Sequence, residues 1–195
     1  MSKIMYIDVE TTGLDPKMHS IVQCSGIIEI DDVEKDRFDL RIRPLQGSHI
    51  DPAALKVIGK TSEDLMAYPN NADQFSEFLL LLKKHVNRYD RKDKMFFVAY
   101  NGTFDMQFIR AWFEARLDKY FGSWFYFPPL DIMTIAANEM MDVRSEMTDF
   151  KLGTVCEQLG IEWDELAAHD ALYDVEKTME VHSRLEEWNG TDESK

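Results

Sequence analysis

Five side chains capable of hydrolytic chemistry stand where one predicted element gives way to the next. Asp8 and Glu10 close the first apolar segment. Asp105 follows the end of another apolar segment, residues 95–100. His169 and Asp174 stand at the start of the last amphipathic segment, residues 171–188. Hard cations such as Mg²⁺ and Mn²⁺ take carboxylate oxygens as ligands, and an imidazole can serve as general base near neutral pH. These residue types therefore allow metal-dependent hydrolysis if the fold brings them together.

Asp8 and Glu10 are two residues apart on a predicted strand, residues 3–10. Because side chains alternate across a strand, both should point to the same face, where two anions repel each other unless a cation lies between them. A solvated strand edge is the ordinary explanation of such a pair. Ordinary explanations also exist for Asp105, as a first-turn acid favoured by the helix dipole, and for His169, as part of a helix start.

The hydrophobic pattern predicts a run of strands followed by strands that alternate with helices. Strands are predicted at residues 3–10, 21–30, 37–43 and 95–100, with a shorter extended segment at 124–127. Helices are predicted at 52–58, 71–89, 104–120, 132–141, 152–159 and 171–188, with Asp51 and Asp131 as N-caps. The acidic segments 31–36 and 142–149 are predicted to be loops.

This order of elements predicts an α/β fold. Its central sheet would be mixed, a three-stranded antiparallel meander joined by further strands, and flanked by helices on both faces. Sites in such sheets gather at strand ends near a topological switch. The ends of the strands at 3–10 and 95–100 are two such places.

The length and charge of the chain limit the classes of function. Its 195 residues, of which 45% are hydrophobic, suit one domain, predicted at 1–188 with a frayed tail at 189–195. The formal net charge of −14 argues against nonspecific gripping of long duplex nucleic acid, which depends on many contacts between basic side chains and phosphates. A small site in which metal ions supply the positive charge stays open.

Cysteine usage and the N-terminus indicate a compartment. Cys24 and Cys156 fit neither a disulfide framework nor a CxxC metal site, and their apolar surroundings predict buried free thiols, which suit a reducing environment. The N-terminus lacks the regions of a signal peptide, and no apolar run approaches the roughly 20 residues that cross a bilayer. We therefore expect a soluble cytoplasmic protein with no membrane partner.

Basic residues concentrate near the end of the predicted helix 71–89, at Lys83, Lys84, Arg88, Arg91, Lys92 and Lys94. Such a cluster is either a solvated face that complements a helix C-terminus or an approach surface for nucleic acid. Arg41 and Arg43 alternate outward on the predicted third strand and are interpreted as surface charge.

Four stretches, residues 8–14, 101–105, 129–133 and 169–174, together resemble the DEDD superfamily of 3′–5′ exonucleases, in the subgroup that uses a histidine. The matching positions are Asp8 and Glu10 in the first motif, Asp105 in the second, and His169 with Asp174 in the third. Segments 131–136 and 152–161 also resemble the family, so the likeness covers about residues 3–185. It is greatest to the proofreading-subunit type, the epsilon subunit of DNA polymerase III, and its relatives, which include an RNA-trimming branch.

The resemblance implies a ribonuclease H-like fold and catalysis with two divalent ions, Mg²⁺ or Mn²⁺, which stabilise charge on the attacking and leaving oxygens. The implied ligands are Asp8, Glu10, Asp105 and Asp174, whose four charges balance two such ions. Asp8 is expected to bridge both ions. Glu10 and Asp174 would share the ion that holds the attacking water, and Asp105 would reach the second ion directly or through water.

His169 would then be the general base. Positions five apart on a helix diverge by about 140°, so His169 and Asp174 cannot share a helical face, and His169 is predicted at the loop–helix boundary. Asp170 stands where the tyrosine subgroup of the family has its tyrosine, which excludes that subgroup. We interpret Asp170 as a first-turn acid.

The resemblance also implies contacts with the terminal nucleotide, at Thr11, Thr12, Gly13, Leu14, Asn101 and Phe104. Leu14 would wedge against the last bases, and a leucine tucked into the core is the alternative. Asn101 either binds the terminal sugar or caps its helix. Phe104 either contacts substrate or packs in the core beneath the second motif.

The function predicted from these residues is hydrolysis of single-stranded DNA ends to 5′-mononucleotides. Trimming of RNA or short oligoribonucleotides is the alternative, since histidine-type members of the family include RNA-trimming enzymes. A non-catalytic module of this fold would be favoured by loss of a metal ligand, and a calcium-binding protein by an EF-hand loop, which the chain lacks. The expected partner is a nucleic acid 3′ end, and a polymerase or homodimer partner stays open.

Overall fold

The structure is a computed structural model that describes residues 2–190, with side chains described as far as residue 188. Within that range five strands form one mixed sheet in the order β3-β2-β1-β4-β5. β1 pairs antiparallel with β2 and parallel with β4, and β4 pairs parallel with β5. The strands are β1 Lys3–Thr11, β2 Ile21–Ile30, β3 Val33–Arg41, β4 Phe96–Ala99 and β5 Leu130–Asp131. The predicted α/β class, mixed sheet and antiparallel meander are confirmed.

Helices connect and cover the strands. They are α1 Pro52–Ile58, α2 Ser62–Ala67, α3 Asn71–His85, α4 Gly102–Ala115, α5 Phe121–Trp124, α6 Ile132–Glu139, α7 Leu152–Gln158 and α8 Ala171–Gly190, with a 3₁₀ helix at Met141–Glu146. The caps predicted for α1 and α6 are present, since Asp51 accepts from the Ala53 amide and Asp131 from the Met133 amide. In the part of the chain that is described, no helix has the length and apolar character needed to span a membrane.

The helices lie on both faces of the sheet and form two hydrophobic cores. On one face, aromatic side chains of α3 and α4, among them Phe78 and Trp112, pack against Met5 and Ile7 of β1. On the other face, α6, α7 and α8 pack against Tyr6. The alternation along β1 therefore assigns its odd-numbered residues to the α3–α4 side and its even-numbered ones to the α8 side.

Several predicted boundaries were wrong. The predicted loop 31–36 is a two-residue turn at Asp31 and Asp32, and β3 begins at Val33. Both aspartates have positive φ, 50° and 62°, the conformation of a type I′ hairpin turn, which matches the twist of the flanking strands. The predicted loop 142–149 is wrong in its first half, which lies in the 3₁₀ helix.

Two predicted helices are too long, and the predicted extended segment is misplaced. α3 ends at His85 because Val86 is extended, although its side chain stays buried. α4 ends at Ala115, and Leu117 adopts φ of 56° just beyond it. In the segment 124–127 only Phe125 forms a bridge, to Met95, and the fifth strand lies further on, in β5.

One helix was missed, and the predictions for the cysteines and the C-terminal segment have different outcomes. α2 was not predicted, although Thr61 and Asp64 form a capping box at its start. Cys24 and Cys156 are both buried and free, as predicted. α8 runs to Gly190, two residues beyond its predicted end, and 191–195 of the predicted tail lie outside the described residues.

Candidate active site

β1 delivers two carboxylates to the α8 side of the sheet. Asp8 and Glu10 are even-numbered like Tyr6, and both are half-buried. Their cross-strand neighbours on β2 are Ser25 and Gln23, so both acids stand at the end of β1, beside the centre of the meander. The predicted common face of the two carboxylates is confirmed, because Val9 between them points to the opposite core.

Asp105 approaches the same strand end from the first turn of α4. Its side chain is only 2% exposed, and its Oδ1 accepts a hydrogen bond from the Val9 amide at 3.1 Å. A first-turn acid is favoured by the helix dipole, but burial at this depth is unusual for a carboxylate without a compensating cation. After burial, the charge of Asp105 is the largest influence that raises the pKa of Asp8, so Asp105 belongs to the acidic cluster at the end of β1.

The N-terminal end of α8 adds the last two groups. The ligand atoms of Glu10, His169 and Asp174 all lie within 4.8 Å of one another. Asp174 lies on the first turn of α8, whereas His169 precedes the helix with a left-handed backbone, φ 65°. The predicted place of His169 at the loop–helix boundary is confirmed.

One buried carboxylate oxygen shows whether a cation would fit the site. Asp174 Oδ1 is buried and has no hydrogen-bond partner among the described residues. An unpaired buried carboxylate oxygen is costly, and a cation held between it and Glu10 would remove that cost. Of the four predicted carboxylate ligands, Glu10 and Asp174 lie, with His169, close enough to share one ion, while Asp8 and Asp105 are outside that group. Their carboxylate oxygens are donors that suit the hard divalent ions Mg²⁺ and Mn²⁺.

The raised pKa values of the clustered carboxyls also indicate a site suited to a cation. Burial raises the pKa of Glu10 to about 8, with the charges of Asp174 and Asp105 adding to the shift and Arg41 opposing it. Burial also raises the pKa of Asp105 to about 8 and that of Asp174 to about 7. The pKa of Asp8 lies well above its ordinary value because of burial and then of its acidic neighbours. Without a cation the site therefore resists full ionisation at neutral pH.

This resistance predicts how the stability of the metal-free protein depends on pH. The folded-state pKa values of Glu10, Asp105 and Asp174 exceed their unfolded values of about 4. The stability that these groups contribute is complete below about pH 4 and is lost as pH rises through the folded values, so the free energy of unfolding should fall between about pH 5 and 8.

Thermal unfolding in EDTA, followed by circular dichroism across that pH range, measures the effect. Added Mn²⁺ should reverse most of the fall, because an ion bound only by the folded state stabilises it. The variant Glu10→Gln should show a shallower pH dependence in EDTA than the wild-type protein. A metal-free midpoint that is flat or rises over the range would contradict the prediction.

The turn after Glu10 is stabilised by hydrogen bonds from its threonine hydroxyls to backbone carbonyls. Thr11 Oγ1 donates to the Gly13 carbonyl at 2.7 Å, and the buried Thr12 Oγ1 donates to the His49 carbonyl at 2.7 Å. A Cβ on Gly13 would lie 2.2 Å from the ring of His19, so this position has no room for a side chain. These bonds fix the threonine side chains inward. The backbone of Thr12 is also bonded within the fold, its amide to the Ser20 carbonyl and its carbonyl to the Asp51 amide, and residues 11–13 are all buried.

The next residue is Leu14, which is 82% exposed. The alternative of a leucine tucked into the core is therefore wrong. Asn101 occupies the N-cap position of α4 with φ 63°, but its exposed side chain makes no capping bond, so the capping alternative is wrong as well. Phe104 is half-buried and packs on Phe108 with ring centroids 4.9 Å apart, which assigns part of its ring to the core.

Sequence reasoning misjudged one residue beside the site. Arg41 is not simple surface charge, because its Nη2 donates to Asp170 Oδ2 at 2.8 Å. Asp170 caps α8 by accepting from the Leu172 amide at 3.1 Å, in keeping with its interpretation as a helix-start acid. The alternation of the third strand placed Arg41 on a face but gave no sign of its partner, which lies 129 positions further on.

Half of the six residues of the basic cluster contact neighbouring elements of the fold. Lys84 pairs with Asp36, Arg88 lies 4.5 Å from the ring centroid of Tyr120, and Lys94 donates to the Gly122 carbonyl. For these residues the solvated-face interpretation is incomplete, because their heads contact neighbouring elements.

The fold and the site together define a class of protein. A mixed sheet covered on both faces, with carboxylates gathered at the end of its central strand and a histidine at the start of the last helix, is the arrangement of a ribonuclease H-like nuclease. The model of the RNase_T exonuclease family matches residues 5–182. The chain therefore belongs to this exonuclease family, and it is a 3′–5′ exonuclease of the DEDD superfamily.

Sequence alignments with its relatives span nearly the whole chain. Ribonuclease T of Shewanella denitrificans is 26% identical over 189 residues, which is 92% of this chain and 78% of the relative. A PolC-type DNA polymerase III of Thermotoga petrophila is 28% identical over 182 residues, 93% of this chain but only 12% of the polymerase. The name of the first relative describes a ribonuclease, and the name of the second describes a DNA polymerase.

Solved structures agree in fold. The zinc-bound complex of Escherichia coli exonuclease I with single-stranded DNA superposes with a TM-score of 0.78 at 19% identity, covering 98% of this chain and 42% of that one. A product-bound exonuclease I gives a TM-score of 0.74 at 17% identity, with 96% and 44% covered. The chain thus spans about two fifths of the exonuclease I chains, and at these identities the likeness shows the fold. Divalent metal binding is general to the family.

Proposed function

We propose that residues 1–188 form a single metal-dependent exonuclease domain that hydrolyses single-stranded DNA from its 3′ end and releases 5′-mononucleotides. The observation that carries the proposal is the convergence of Glu10, His169 and Asp174 within 4.8 Å, with a buried Asp174 oxygen that has no hydrogen-bond partner among the described residues. A binding module would have no use for a general base beside a cluster of costly buried acids.

In this proposal four carboxylates hold two divalent ions, Mg²⁺ or Mn²⁺: Asp8, Glu10, Asp105 and Asp174. When bound, the ions stabilise the charge that develops on the attacking and leaving oxygens. Burial, and after it the neighbouring charges, raise the pKa values of these carboxyls, so metal binding must displace protons from them and should strengthen as pH rises.

His169 takes the proton of the attacking water. The oxygen of that water bonds to the phosphorus of the last phosphodiester while the bond from that phosphorus to the 3′ oxygen of the preceding nucleotide breaks. The 3′ oxygen leaves with the bonding electrons and takes a proton from solvent water. The products are a 5′-mononucleotide and a strand one nucleotide shorter that ends in a 3′ hydroxyl. His169 is exposed and lies outside the first turn of α8, so its ring can reach a water above the carboxylates without disturbing the helix.

The turn Thr11–Leu14 supports the last nucleotide in this proposal. Its threonine side chains are bound inward, which makes the turn a firm floor, and the exposed Leu14 offers an apolar surface to a base. An exposed leucine beside the site suits an unstacked single-stranded end, whose bases present apolar faces. Asn101, whose side chain has no capping role, is free to bind the terminal sugar.

RNA is the second candidate substrate. It is favoured by the relatives named Ribonuclease T, which match over 90% or more of this chain at 25–28% identity. RNA differs from DNA at each residue by the 2′ hydroxyl, so the two candidates differ in what the site must accept beside the 3′ end.

One assay separates the candidates. DNA and RNA strands of the same sequence, labelled at the 5′ end, are incubated with enzyme and Mn²⁺, Mg²⁺ or EDTA, and products are resolved at single-nucleotide steps. We expect metal-dependent ladders that shorten from the 3′ end, with DNA degraded faster than RNA. A faster RNA ladder would replace the first candidate by the second, and no ladder on either strand would refute the proposed activity.

A further inference from the structure

A line of polar side chains runs across the sheet beside the acidic cluster. In the strand register Glu10 of β1 is opposite Gln23 of β2, and Gln23 is opposite Arg41 of β3. Directly opposed residues share a face, so the three side chains stand side by side on the face that α8 covers. Arg41 is thus two strands away from a proposed metal ligand and points over the same surface.

The side chain of Arg41 is aimed by its neighbours. Its Nη2 lies 3.3 Å from Asp39 Oδ2, on the same strand. The other Asp39 oxygen accepts from Gln23 Nε2 at 2.8 Å and from Ser25 Oγ at 2.7 Å. Asp39 is therefore held by β2 and in turn keeps the guanidinium of Arg41 directed along the sheet.

The target of Arg41 is Asp170, the residue after His169. Asp170 Oδ2 accepts from Arg41 at 2.8 Å and lies 3.4 Å from Gln23 Nε2, while Oδ1 accepts from the Leu172 amide at 3.1 Å. The Asp170 carbonyl accepts from the Asp174 amide at 3.0 Å. One carboxylate therefore joins the sheet to the first turn of α8, with His169 just before it and Asp174 one turn after it.

The backbone of His169 also forms a hydrogen bond with the Asp174 carboxylate, but its side chain is less firmly held. Its side chain is exposed, its backbone is left-handed, and none of the described residues forms a hydrogen bond with its ring. The loop that carries it is anchored at its start, where the Asp164 amide donates to the Tyr173 hydroxyl at 2.7 Å. Its end is anchored at Asp170. The distance between His169 and Glu10 thus depends on where Arg41 holds that end.

We propose that Arg41 is a positioning residue: through its ion pair with Asp170 it sets the place of His169 relative to Glu10 and Asp174. The inference rests on the proposed role of His169 as general base. Arg41 acts through another residue and does not itself touch the reacting atoms. Because a displacement of about 1 Å at a reacting group can cost a hundredfold in rate, breaking the pair should lower kcat rather than weaken substrate binding.

The test compares four variants of the full chain with the wild-type protein. Arg41→Met removes the ion pair, and Arg41→Lys keeps a charge. Asp170→Ser removes the partner of Arg41 but keeps a side chain that caps helices well. Arg37→Met is the matched control, since Arg37 also joins β3 to α8, through Glu176, but further along the helix from His169.

We expect Arg41→Met and Asp170→Ser each to lower kcat at least about tenfold with KM within about twofold of the wild-type value. Arg41→Lys should retain more activity than Arg41→Met. A fifth protein that combines Arg41→Met with Asp170→Ser should be no worse than either single variant. Arg37→Met should keep the wild-type kcat. In the metal-free protein, amide exchange should accelerate in a peptide covering residues 164–170 and not in one from α3.

A further comparison separates this inference from the proposed function. In a His169→Asn background, Arg41→Met should cause no additional loss, because the group that it positions is gone. A His169→Asn protein with full activity would refute the role of His169 itself. The positioning role is overturned if Arg41→Met keeps the wild-type kcat, if Arg37→Met loses as much, or if the Arg41→Met loss persists unchanged in the His169→Asn background.

Discussion

Replacing Asp8 by Asn is expected to lower kcat by at least about a thousandfold and to raise the stability of the metal-free protein. Asp8 lies at the centre of the acidic cluster, and burial and the charges of Asp105, Glu10 and Asp174 hold its pKa well above the ordinary range. The amide has the shape of the carboxyl without its charge. The substitution therefore removes a metal ligand and relieves repulsion in the same step.

The two effects are measured separately. Activity is followed on a single-stranded oligonucleotide with Mn²⁺, and thermal midpoints are compared in EDTA at about pH 8, where the repulsion is largest. Each kcal/mol gained should raise the midpoint by about 2–4 °C in a chain of this length. The wild-type midpoint should rise when Mn²⁺ is added, and that of Asp8→Asn should rise much less.

Asp73→Asn is the matched control. It makes the same chemical change at an exposed carboxyl on the first turn of α3, on the opposite face of the sheet from the cluster. It should leave both kcat and the metal response as in the wild-type protein. If Asp8→Asn kept more than about a tenth of the wild-type kcat, the carboxylate would not be part of the reaction centre.

The parts of the site that the sequence predicted are those that local geometry decides. Asp8 and Glu10 share a face because a strand alternates with period two, whatever the rest of the chain does. The spacing of five positions, which on a helix cannot bring His169 and Asp174 to one side, predicted His169 outside α8, and its backbone there is left-handed. The caps of α1 and α6 likewise depend on side chains two or three residues from the amides they accept.

The parts that it missed depend on contacts between distant segments. The Asp105 carboxylate accepts from the Val9 amide, and Arg41 donates to Asp170, across 96 and 129 positions. The inward bonding of Thr12 depends on His49, a residue outside the turn. The exposure of Leu14 likewise could not be decided from the sequence of the turn alone. Pattern and propensity carry no information on such pairings, which follow from strand register and helix docking.

The hairpin between β2 and β3 shows that prediction from sequence also failed for a contact between neighbouring segments. The acidic run Asp31–Asp36 looked like a loop because its charges are unsuited to a buried strand. β3 is an edge strand, however, and its first residues are exposed, so charged side chains there face solvent at no cost. Composition alone could not separate an exposed edge strand from a loop, and the turn needed only Asp31 and Asp32 with positive φ.

Replacing His169 by Asn should lower kcat by about 10²- to 10⁴-fold, the range that a general base contributes. The nearness of the His169 ring to Glu10 and Asp174, within 4.8 Å, fits two roles, that of a base and that of a metal ligand. The two roles differ in what the substitution does to metal binding. Asn tolerates the left-handed backbone at this position, φ 65°, so the fold should not be weakened.

The metal response of the fold decides between them. If His169 is the base, the rise in thermal midpoint with Mn²⁺ should match that of the wild-type protein, while Asp174→Asn should lose both activity and most of the rise. Added imidazole should restore part of the activity of a His169→Gly protein, because Gly accepts the same backbone and leaves space for the free base. A His169→Asn protein whose midpoint no longer responds to Mn²⁺ would make the imidazole a ligand. The proton of the attacking water would then need another acceptor at this strand end.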